Sequence, residues 1–238
     1  MKSIAIIPAR GGSKRLPRKN IRPFAGRPMI AYAIGTAMTS GLFDRVIVST
    51  DDEEIAAVAR KHGAEAPFMR PRELADDHTP TVPVIAHAIR ACDAMGWQTE
   101  LACCIYPCVP LLQADDLRQA QALWLAAKAD YCFAVAEFPS SVQRALQRDA
   151  DGKMSPLYPE HQLTRTQDLT PAFYDVGQFY WGRREAWLDQ PAIHANGVGM
   201  PIPGWRAIDI DTADDWMRAE TLYQSMRPAR PLTFAESR

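Results

Sequence analysis

A cluster of positive charge near the start of the chain is the part of the sequence best suited to bind an anion. Six basic residues and no acidic residue lie within thirteen positions: Arg10, Lys14, Arg15, Arg18, Lys19 and Arg22. This segment, the basic loop, follows the apolar run IAII and also contains Gly11 and Gly12. Small residues let backbone N–H groups approach phosphate oxygens, and Lys and Arg neutralise the phosphate charge. The basic loop therefore predicts a polyphosphate site, and the alternative is a loop that only faces water.

The basic loop matches neither of two common nucleotide-binding motifs. It is not a P-loop, because no Gly-Lys-Ser/Thr triplet follows a glycine at the required spacing. It is not a dinucleotide fingerprint, because Gly11 and Gly12 are adjacent and lack the G-x-G-x-x-G spacing. The phosphate hypothesis therefore depends on charge and on position after a strand.

Two aspartates near the other end of the chain, Asp209 and Asp211, form the second chemical feature. In a strand predicted at 206–211 their side chains share one face, while Ile208 and Ile210 pack inward. Two such carboxylates repel each other unless a cation joins them, and Mg²⁺ prefers oxygen ligands. Magnesium there would bridge phosphate oxygens and neutralise the charge of a leaving pyrophosphate. The alternative is that Asp211 only caps the helix that follows.

The elements that must position these residues follow an α/β pattern. Strands are predicted at 3–7, 45–50, 101–106 and 131–137, and helices at 28–40, 51–62, 81–95 and 114–128. Repeated βα units predict a mostly parallel sheet covered by helices on both faces. Ligands of such sheets bind beyond the carboxyl ends of the strands, where the basic loop leaves the first strand. A further strand is predicted at 173–181, and a last helix at 212–226 with Thr212 and Asp215 as its capping pair.

The chain is predicted to form a single domain over residues 1–226 with one excursion. Residues 138–173 are polar and contain four prolines, which is too long an interruption for a passive connection in a compact domain. We interpret this excursion as an arm with a functional or interaction role. Residues 227–238 lack periodicity and are predicted to be a flexible tail.

Composition excludes several classes of protein. The net charge of −1 argues against a general nucleic-acid binder, because the basic loop is balanced by acidic residues elsewhere. The sequence has neither a signal-peptide pattern nor about 18 consecutive apolar residues, so we expect a cytoplasmic protein that does not enter a membrane. The five cysteines are expected to be reduced thiols without a zinc pattern. The five histidines have no triad-like spacing, so we interpret them as surface or core residues.

Several motifs in order resemble the CMP-sialic acid synthetase family, the cytidylyltransferases that load nonulosonic acids onto CMP. The resemblance extends to about residue 226 and depends on IIPARGGSKRLPRKN, GRPMIAYAI, VIVSTDDEEIA, RPRELADDHTPT, CIYPCVPLL and IDIDTADD. The segment YDVGQFYW, preceded by TRTQD, is most similar to the branch of the family that acts on pseudaminic acid.

The resemblance implies a Rossmann-like nucleotidyltransferase fold, Mg²⁺ dependence, and a homodimer in which the protruding arm reaches the neighbouring site. It implies the reaction of CTP with a nonulosonic acid, here pseudaminic acid, to give the CMP-sugar and pyrophosphate. The same chemistry on N-acetylneuraminic, legionaminic or 3-deoxy-manno-octulosonic acid is an alternative. A nucleotide-binding module without turnover is an alternative of another class.

The resemblance also implies roles for individual residues. The CTP site would contain Ala9, Arg10, Gly11, Gly12, Ser13, Lys19, Asn20, Arg70 and Thr81. The sugar would lie near Tyr106, Asp175 and Gln178, and the metal on Asp209 and Asp211, which with Arg10 and Lys19 form the catalytic group. Arg165 in the arm is a candidate for the sugar carboxylate, because guanidinium groups bind carboxylates bidentately. Cys108 stands where the family usually has Thr or Ser, so a hydroxyl contact is in doubt there.

Overall fold

Strands and helices alternate along the residues that the computed structural model describes, 2–189 and 192–226. The strands are β1 Ser3–Pro8, β2 Pro23–Phe24, β3 Arg27–Pro28, β4 Arg45–Ser49, β5 Leu101–Ile105, β6 Tyr131–Glu137, β7 Leu146–Arg148, β8 Met154–Pro156, β9 Phe173–Arg183 and β10 Gly197–Pro201. The α-helices are α1 Ile30–Ser40, α2 Glu53–Lys61, α3 Thr81–Ala94, α4 Ala114–Ala127, α5 Arg184–Asp189 and α6 Ala213–Ser225. Short 3₁₀ helices occupy Arg72–Leu74, Val142–Arg144, Pro159–His161, Thr166–Asp168 and Gly204–Arg206.

Six strands form the central sheet in the order β10-β6-β9-β5-β1-β4. All are parallel except β9, which runs antiparallel between β5 and β6. One face packs against α1, α2 and α4 and the other against α3 and α5, each through its own apolar cluster. The predicted α/β class, with a mostly parallel sheet between helices, is confirmed.

Strand β9 has buried aromatic side chains on both faces of the sheet. Trp181 and Tyr180 are adjacent in this strand, and the alternation of a strand predicts one ring inward and one outward. They do lie on opposite faces, yet both are buried, at 0% and 6% exposure. Because helices cover both faces, alternation along a strand here separates two cores rather than core from solvent.

Helix ends follow the predicted local chemistry, with one exception. Thr212 and Asp215 form the expected capping box of α6. Gly41 ends α1 in the left-handed conformation with φ 68°. The expectation that Pro28 opens this helix is wrong, because Pro28 lies in β3 and the helix begins at Ile30.

The prediction of a strand at 206–211 is wrong, because these residues do not pair with a sheet. The predicted alternation of buried and unburied side chains along them is confirmed. The 3₁₀ helix that ends at Arg206 is followed by unpaired backbone, called here the acid run, residues 207–211. Ile208 and Ile210 are buried against Phe24 and Trp216, as the pattern requires. Alternation reports which side chains are buried; it does not supply a neighbouring strand edge for hydrogen bonding.

A buried ion pair anchors the start of the acid run. Arg206 binds Asp116 at the beginning of α4 through two hydrogen bonds of 2.5 and 2.9 Å. Both side chains are less than a tenth exposed. Removing one partner of such a pair leaves a buried charge and typically costs about 3–5 kcal/mol. The pair therefore fixes the acid run against α4 without sheet pairing.

Several elements of the fold were not foreseen, among them the β2–β3 hairpin, α5, β10 and the hairpin of β7 and β8. The sequence of β10, GVGMP, is poor in strand-forming residues. Its glycines are needed for close packing, because a Cβ on Gly197 would lie 2.5 Å from the Phe133 ring. The arm contains a small hairpin of β7 and β8. The single-domain boundary stays a prediction, and the tail at 227–238 lies outside the described residues.

The five cysteines are free and buried. Burial raises the pKa of Cys92 and of Cys132 to about 12, so both are packed as neutral thiols. Over residues 2–189 and 192–226, none of the helices has both the length and the apolar composition needed to cross a membrane. The cytoplasmic location stays a prediction.

Candidate nucleotide and metal site

The basic loop leaves β1 at the carboxyl edge of the parallel strands. The backbone N–H of Ala9 donates to the Ser49 carbonyl at 2.9 Å, which joins the loop to the end of β4. A cavity of about 180 Å³ opens above this edge. Its lining includes Arg10, Ser13, Lys14, Arg15, Lys19, Asn20, Pro107 and Asp211. The structure thus brings Arg10, Ser13 and Lys19, which were predicted to bind phosphate, into one cavity with the predicted metal ligand Asp211. The predicted residues Gly11, Gly12 and Asp209 are not among those that line it.

Gly11 lies where no side chain fits. Its N–H donates to Asp51 Oδ1 at 3.0 Å, and a Cβ there would lie 2.7 Å from Asp52 Oδ2. Asp52 cannot easily move, because it caps α2 and is bound by Arg18. A Cβ on Gly12, in contrast, would meet no atom within 4 Å. The backbone at Gly11 is therefore held close to the end of β4.

Carboxylates from separate segments neutralise the basic loop. Arg10 donates to Asp77 Oδ1 at 2.6 Å and to the Asp76 carbonyl at 2.9 Å, and Lys14 binds the other Asp77 oxygen. These contacts from Lys14 and Arg10 hold the pKa of Asp77 at about 2. Arg18 binds Asp52 and so joins the loop to the start of α2.

Lys19 makes the contact between the two chemical features. Its Nζ donates to the Ile210 carbonyl at 2.7 Å and to Asp211 Oδ1 at 3.1 Å. Arg15 binds Asp211 Oδ2 at 2.7 Å. The basic loop and the acid run, predicted as independent features, therefore meet side by side.

The two aspartates of the acid run fit a hard divalent cation. Asp209 is exposed, although protein atoms around its carboxyl displace part of the surrounding water. Burial, followed by the charge of Asp211, raises the pKa of Asp209, and Lys19 and Arg15 oppose this shift. A cation between the two carboxylates would relieve their repulsion. Within the described ranges, no group of three or more His, Cys, Asp or Glu residues is placed to hold a metal. Further ligands would therefore come from phosphate and water, as Mg²⁺ commonly has them.

Asn20 and Cys108 form a buried link behind the basic loop. Asn20 Nδ2 donates to the Arg10 carbonyl at 2.9 Å, and the Cys108 thiol donates to Asn20 Oδ1 at 3.4 Å. Burial raises the pKa of Cys108 to about 12, which keeps the thiol protonated. Cys108 therefore supports Asn20, in the place where the family usually has a hydroxyl residue.

Arg70 is buried beneath the end of β4. Its guanidinium donates to the carbonyls of Ser49 at 2.6 Å and Leu74 at 3.3 Å. Burial lowers the pKa of Arg70 to about 10, so the group stays charged at neutral pH. Thr81, the first residue of α3, shares a 2.5 Å hydrogen bond with the Tyr106 hydroxyl.

The four predicted sugar residues have different contacts, and two of them, Tyr106 and Gln178, are joined by a 2.9 Å hydrogen bond from the Tyr106 N–H to the Gln178 carbonyl. Tyr106 and Asp175 are connected through Tyr180, whose ring centroid is 5.6 Å from that of Tyr106 and whose hydroxyl donates to Asp175. Gln178 is 2% exposed and donates to the Arg206 carbonyl at 2.9 Å. Arg165 is exposed and binds Asp168 within the arm.

Sequence reasoning missed the acidic partners of the basic loop. Asp51 and Asp52 directly follow the strand predicted at 45–50, so the rule that ligands gather at one sheet edge could have identified them. Asp77 lies in a connection without a periodic pattern. Its contact with Arg10 depends on the path of that connection, which the sequence does not specify.

The chain belongs to the cytidylyltransferase family, whose model matches residues 4–183. It is therefore a nucleotidyltransferase, as expected. It is 41% identical over 225 residues to the pseudaminic acid cytidylyltransferase of Campylobacter jejuni subsp. jejuni, covering 94% of this chain and 97% of that protein. It is 28% identical over 228 residues to the CMP-N,N'-diacetyllegionaminic acid synthase of Legionella pneumophila subsp. pneumophila, covering 94% of this chain and 97% of that protein.

The fold has a close counterpart among solved structures. A CMP:2-keto-3-deoxy-manno-octonic acid synthetase complexed with CTP superposes with a TM-score of 0.71 at 16% identity, covering 94% of this chain and 99% of that one. The Rossmann-like nucleotidyltransferase fold expected from the sequence is confirmed.

The contact between Gly11 and Asp52 leads to a stability prediction with a matched control. Gly11→Ala should lower the free energy of unfolding by about 1–3 kcal/mol, because its Cβ overlaps a side chain that cannot move freely. Gly12→Ala should change it by less than about 0.5 kcal/mol. Urea denaturation of both variants measures the difference, and equal values would contradict the close approach at Gly11.

Proposed function

We propose that the chain transfers CMP from CTP to pseudaminic acid and releases pyrophosphate. The observation that carries this proposal is the contact of Lys19 with Asp211 and with the Ile210 carbonyl, which joins the basic loop to the acid run. A cation-rich cradle beside a carboxylate pair is what a metal–triphosphate complex requires. The relative from Campylobacter jejuni named as a pseudaminic acid cytidylyltransferase, and the solved relative complexed with CTP, support the choice of substrates.

The basic loop would bind the triphosphate by exchange of partners. Arg10 and Lys19 line the cavity, and they bind the carboxylates of Asp77 and Asp211 respectively. Phosphate oxygens carry the same charge and accept the same hydrogen bonds, so they can replace Asp77 and Asp211 as partners. The backbone N–H groups near Gly11, Gly12 and Ser13 would complete the cradle, and Arg70 and Thr81 would lie on the nucleoside side.

Asp209 and Asp211 would hold Mg²⁺. A bound magnesium ion would neutralise negative charge on the phosphates. Arg15 binds Asp211 Oδ2 and would keep that carboxylate oriented when phosphate replaces Asp211 as the partner of Lys19. The ion pair of Arg206 with Asp116 holds the backbone of the acid run in place.

The reaction needs no covalent enzyme intermediate. The anomeric hydroxyl oxygen of the sugar forms a bond to the α-phosphorus while the bond from that phosphorus to the departing pyrophosphate breaks, and the hydroxyl proton is released to water. The residues of this site act by positioning and by neutralising charge, both of which can lower such a barrier strongly. Arg10 and Lys19 would stabilise the leaving pyrophosphate, and Tyr106 and Asp175 would hold the acceptor.

A substrate panel tests the function. The protein is incubated with CTP, Mg²⁺ and one of four acceptors: pseudaminic, N,N'-diacetyllegionaminic, N-acetylneuraminic or 3-deoxy-manno-octulosonic acid. We expect pyrophosphate release with pseudaminic acid at a kcat/KM at least about tenfold above the others, since one well-placed contact is worth about that factor. Chelation of Mg²⁺ should abolish release. Release with none of the acids contradicts the reaction, and faster release with another acid contradicts the acceptor.

Substitutions in the acid run test the metal assignment. Asp209→Asn and Asp211→Asn should each lower kcat at least about hundredfold, because charge stabilisation of the transition state is lost. Asp214→Asn is the matched control, since Asp214 is an exposed residue in the first turn of α6. Steady-state pyrophosphate release over a Mg²⁺ titration measures the effect. Normal turnover by either site variant would remove that residue from the metal site.

We also propose that the arm, residues 138–173, pairs two copies of the chain. It carries exposed apolar side chains, which monomers rarely cluster on one surface: Leu146, Met154, Leu157 and Leu163. The double substitution Leu146→Glu with Met154→Glu, on the β7–β8 hairpin, should raise the dimer dissociation constant at least about tenfold. Light scattering after size exclusion measures the mass, and Met217→Glu on α6 is the control. A monomeric wild-type protein would contradict the dimer.

A further inference from the structure

A histidine that the sequence pattern assigned to surface or core lies against a predicted sugar residue. His194 Nε2 is 2.8 Å from Asp175 Oδ2, and the imidazole is 64% exposed. The edge of the ring packs on Phe133, with centroids 4.9 Å apart and an interplanar angle of 87°. The imidazole is therefore held at a fixed orientation while much of its surface remains open to a ligand.

The hydrogen bonds of Asp175 determine which ring nitrogen carries the proton. Asp175 Oδ1 accepts from the Gly177 N–H at 2.8 Å, and Oδ2 accepts from the Tyr180 hydroxyl at 2.9 Å. Burial raises the pKa of Tyr180, which therefore stays a phenol and donates. A carboxylate only accepts, so His194 Nε2 must donate to it, and in the neutral imidazole Nδ1 is then an acceptor.

The position of His194 connects it to the predicted acceptor side of the site. Tyr180 packs against Tyr106, whose hydroxyl meets Thr81 at the start of α3. Thr81, Tyr106, Tyr180, Asp175 and His194 thus form a continuous polar line. None of these five residues belongs to the basic loop, and His194 lies at the opposite end of the line from Thr81, which is predicted on the nucleoside side.

We propose that His194 determines acceptor specificity by binding a hydroxyl or acylamido N–H of the sugar through Nδ1. This inference rests on the proposed function, because it names a contact to the acceptor of that reaction. Tyr180 is a positioning residue, and Asp175, in addition to its proposed contact with the acceptor, fixes the tautomer and the angle of the ring. A polyhydroxylated, N-acylated keto acid presents several donors of the required kind.

Paired substitutions separate a ligand contact from a structural role. Glutamine places its amide near the Nε2 position and can keep the bond to Asp175, whereas asparagine places its amide oxygen near the Nδ1 position. His194→Ala and His194→Gln should raise KM for pseudaminic acid about tenfold, the loss expected for one hydrogen bond to a polar substrate. His194→Asn should recover at least about threefold of that loss. KM for CTP should change less than about twofold in all three, as in the control His62→Ala at the end of α2.

The reverse order, with glutamine better than asparagine, would assign His194 a structural role through Asp175 and overturn the inference. An unchanged KM in His194→Ala would overturn it as well.

Direct binding distinguishes failure of this inference from failure of the proposed function. Calorimetry of pseudaminic acid into protein saturated with CTP, with Mg²⁺ chelated, measures acceptor binding without turnover. Normal turnover with equal affinity of wild type and His194→Ala overturns the inference alone. Absent turnover with about tenfold weaker binding by His194→Ala overturns the function alone and supports the contact. Absence of both turnover and binding in the wild type overturns both, and turnover without detectable binding overturns the inference alone when KM for pseudaminic acid is unchanged in His194→Ala.

Discussion

The concentration of positive charge at the end of β1 is the constraint on which the site depends. Cations held this close together repel one another, and here they are neutralised by carboxylates from three different segments. Asp77 comes from the connection before α3, Asp52 from the start of α2, and Asp211 from the acid run. Partly exposed ion pairs of this kind contribute little to stability, about 0–1 kcal/mol each. Their main effect is to position the chain, because each ion pair holds one segment at the same edge of the sheet.

The acid run carries two carboxylates on backbone that is not part of a strand, so other contacts must hold it in place. Ile208 and Ile210 bury one side of it, the capping box of α6 fixes its end, and the buried pair of Arg206 with Asp116 fixes its beginning. Gln178 adds a hydrogen bond to the same backbone. Asp211 thereby lines the cavity, and Asp209 lies two residues before it, on backbone that forms no hydrogen bonds with a neighbouring strand.

The sequence predicted most of the fold because apolar runs and helix caps are local signals. It failed at β10, where glycines replace the β-branched residues that mark a strand, since Gly197 must approach Phe133. It predicted the cradle and the acid run because both lie where strands or strand-like runs end. It did not identify Asp77 or His194 as partners of predicted site residues. Those contacts join connections that are distant in the chain, and no local pattern encodes the path of a connection.

The contact of Lys19 with the acid run also has a consequence in polymer terms. It joins Lys19 to Ile210 and Asp211, which lie 191 and 192 positions further along the chain, and so closes a long loop. The entropy of closing so long a loop depends only logarithmically on its length, so even doubling the intervening chain would add about 0.6 kcal/mol. Insertions and deletions in the arm between these ends therefore hardly affect the closure. The chemistry at the cradle and the length of the arm can vary independently.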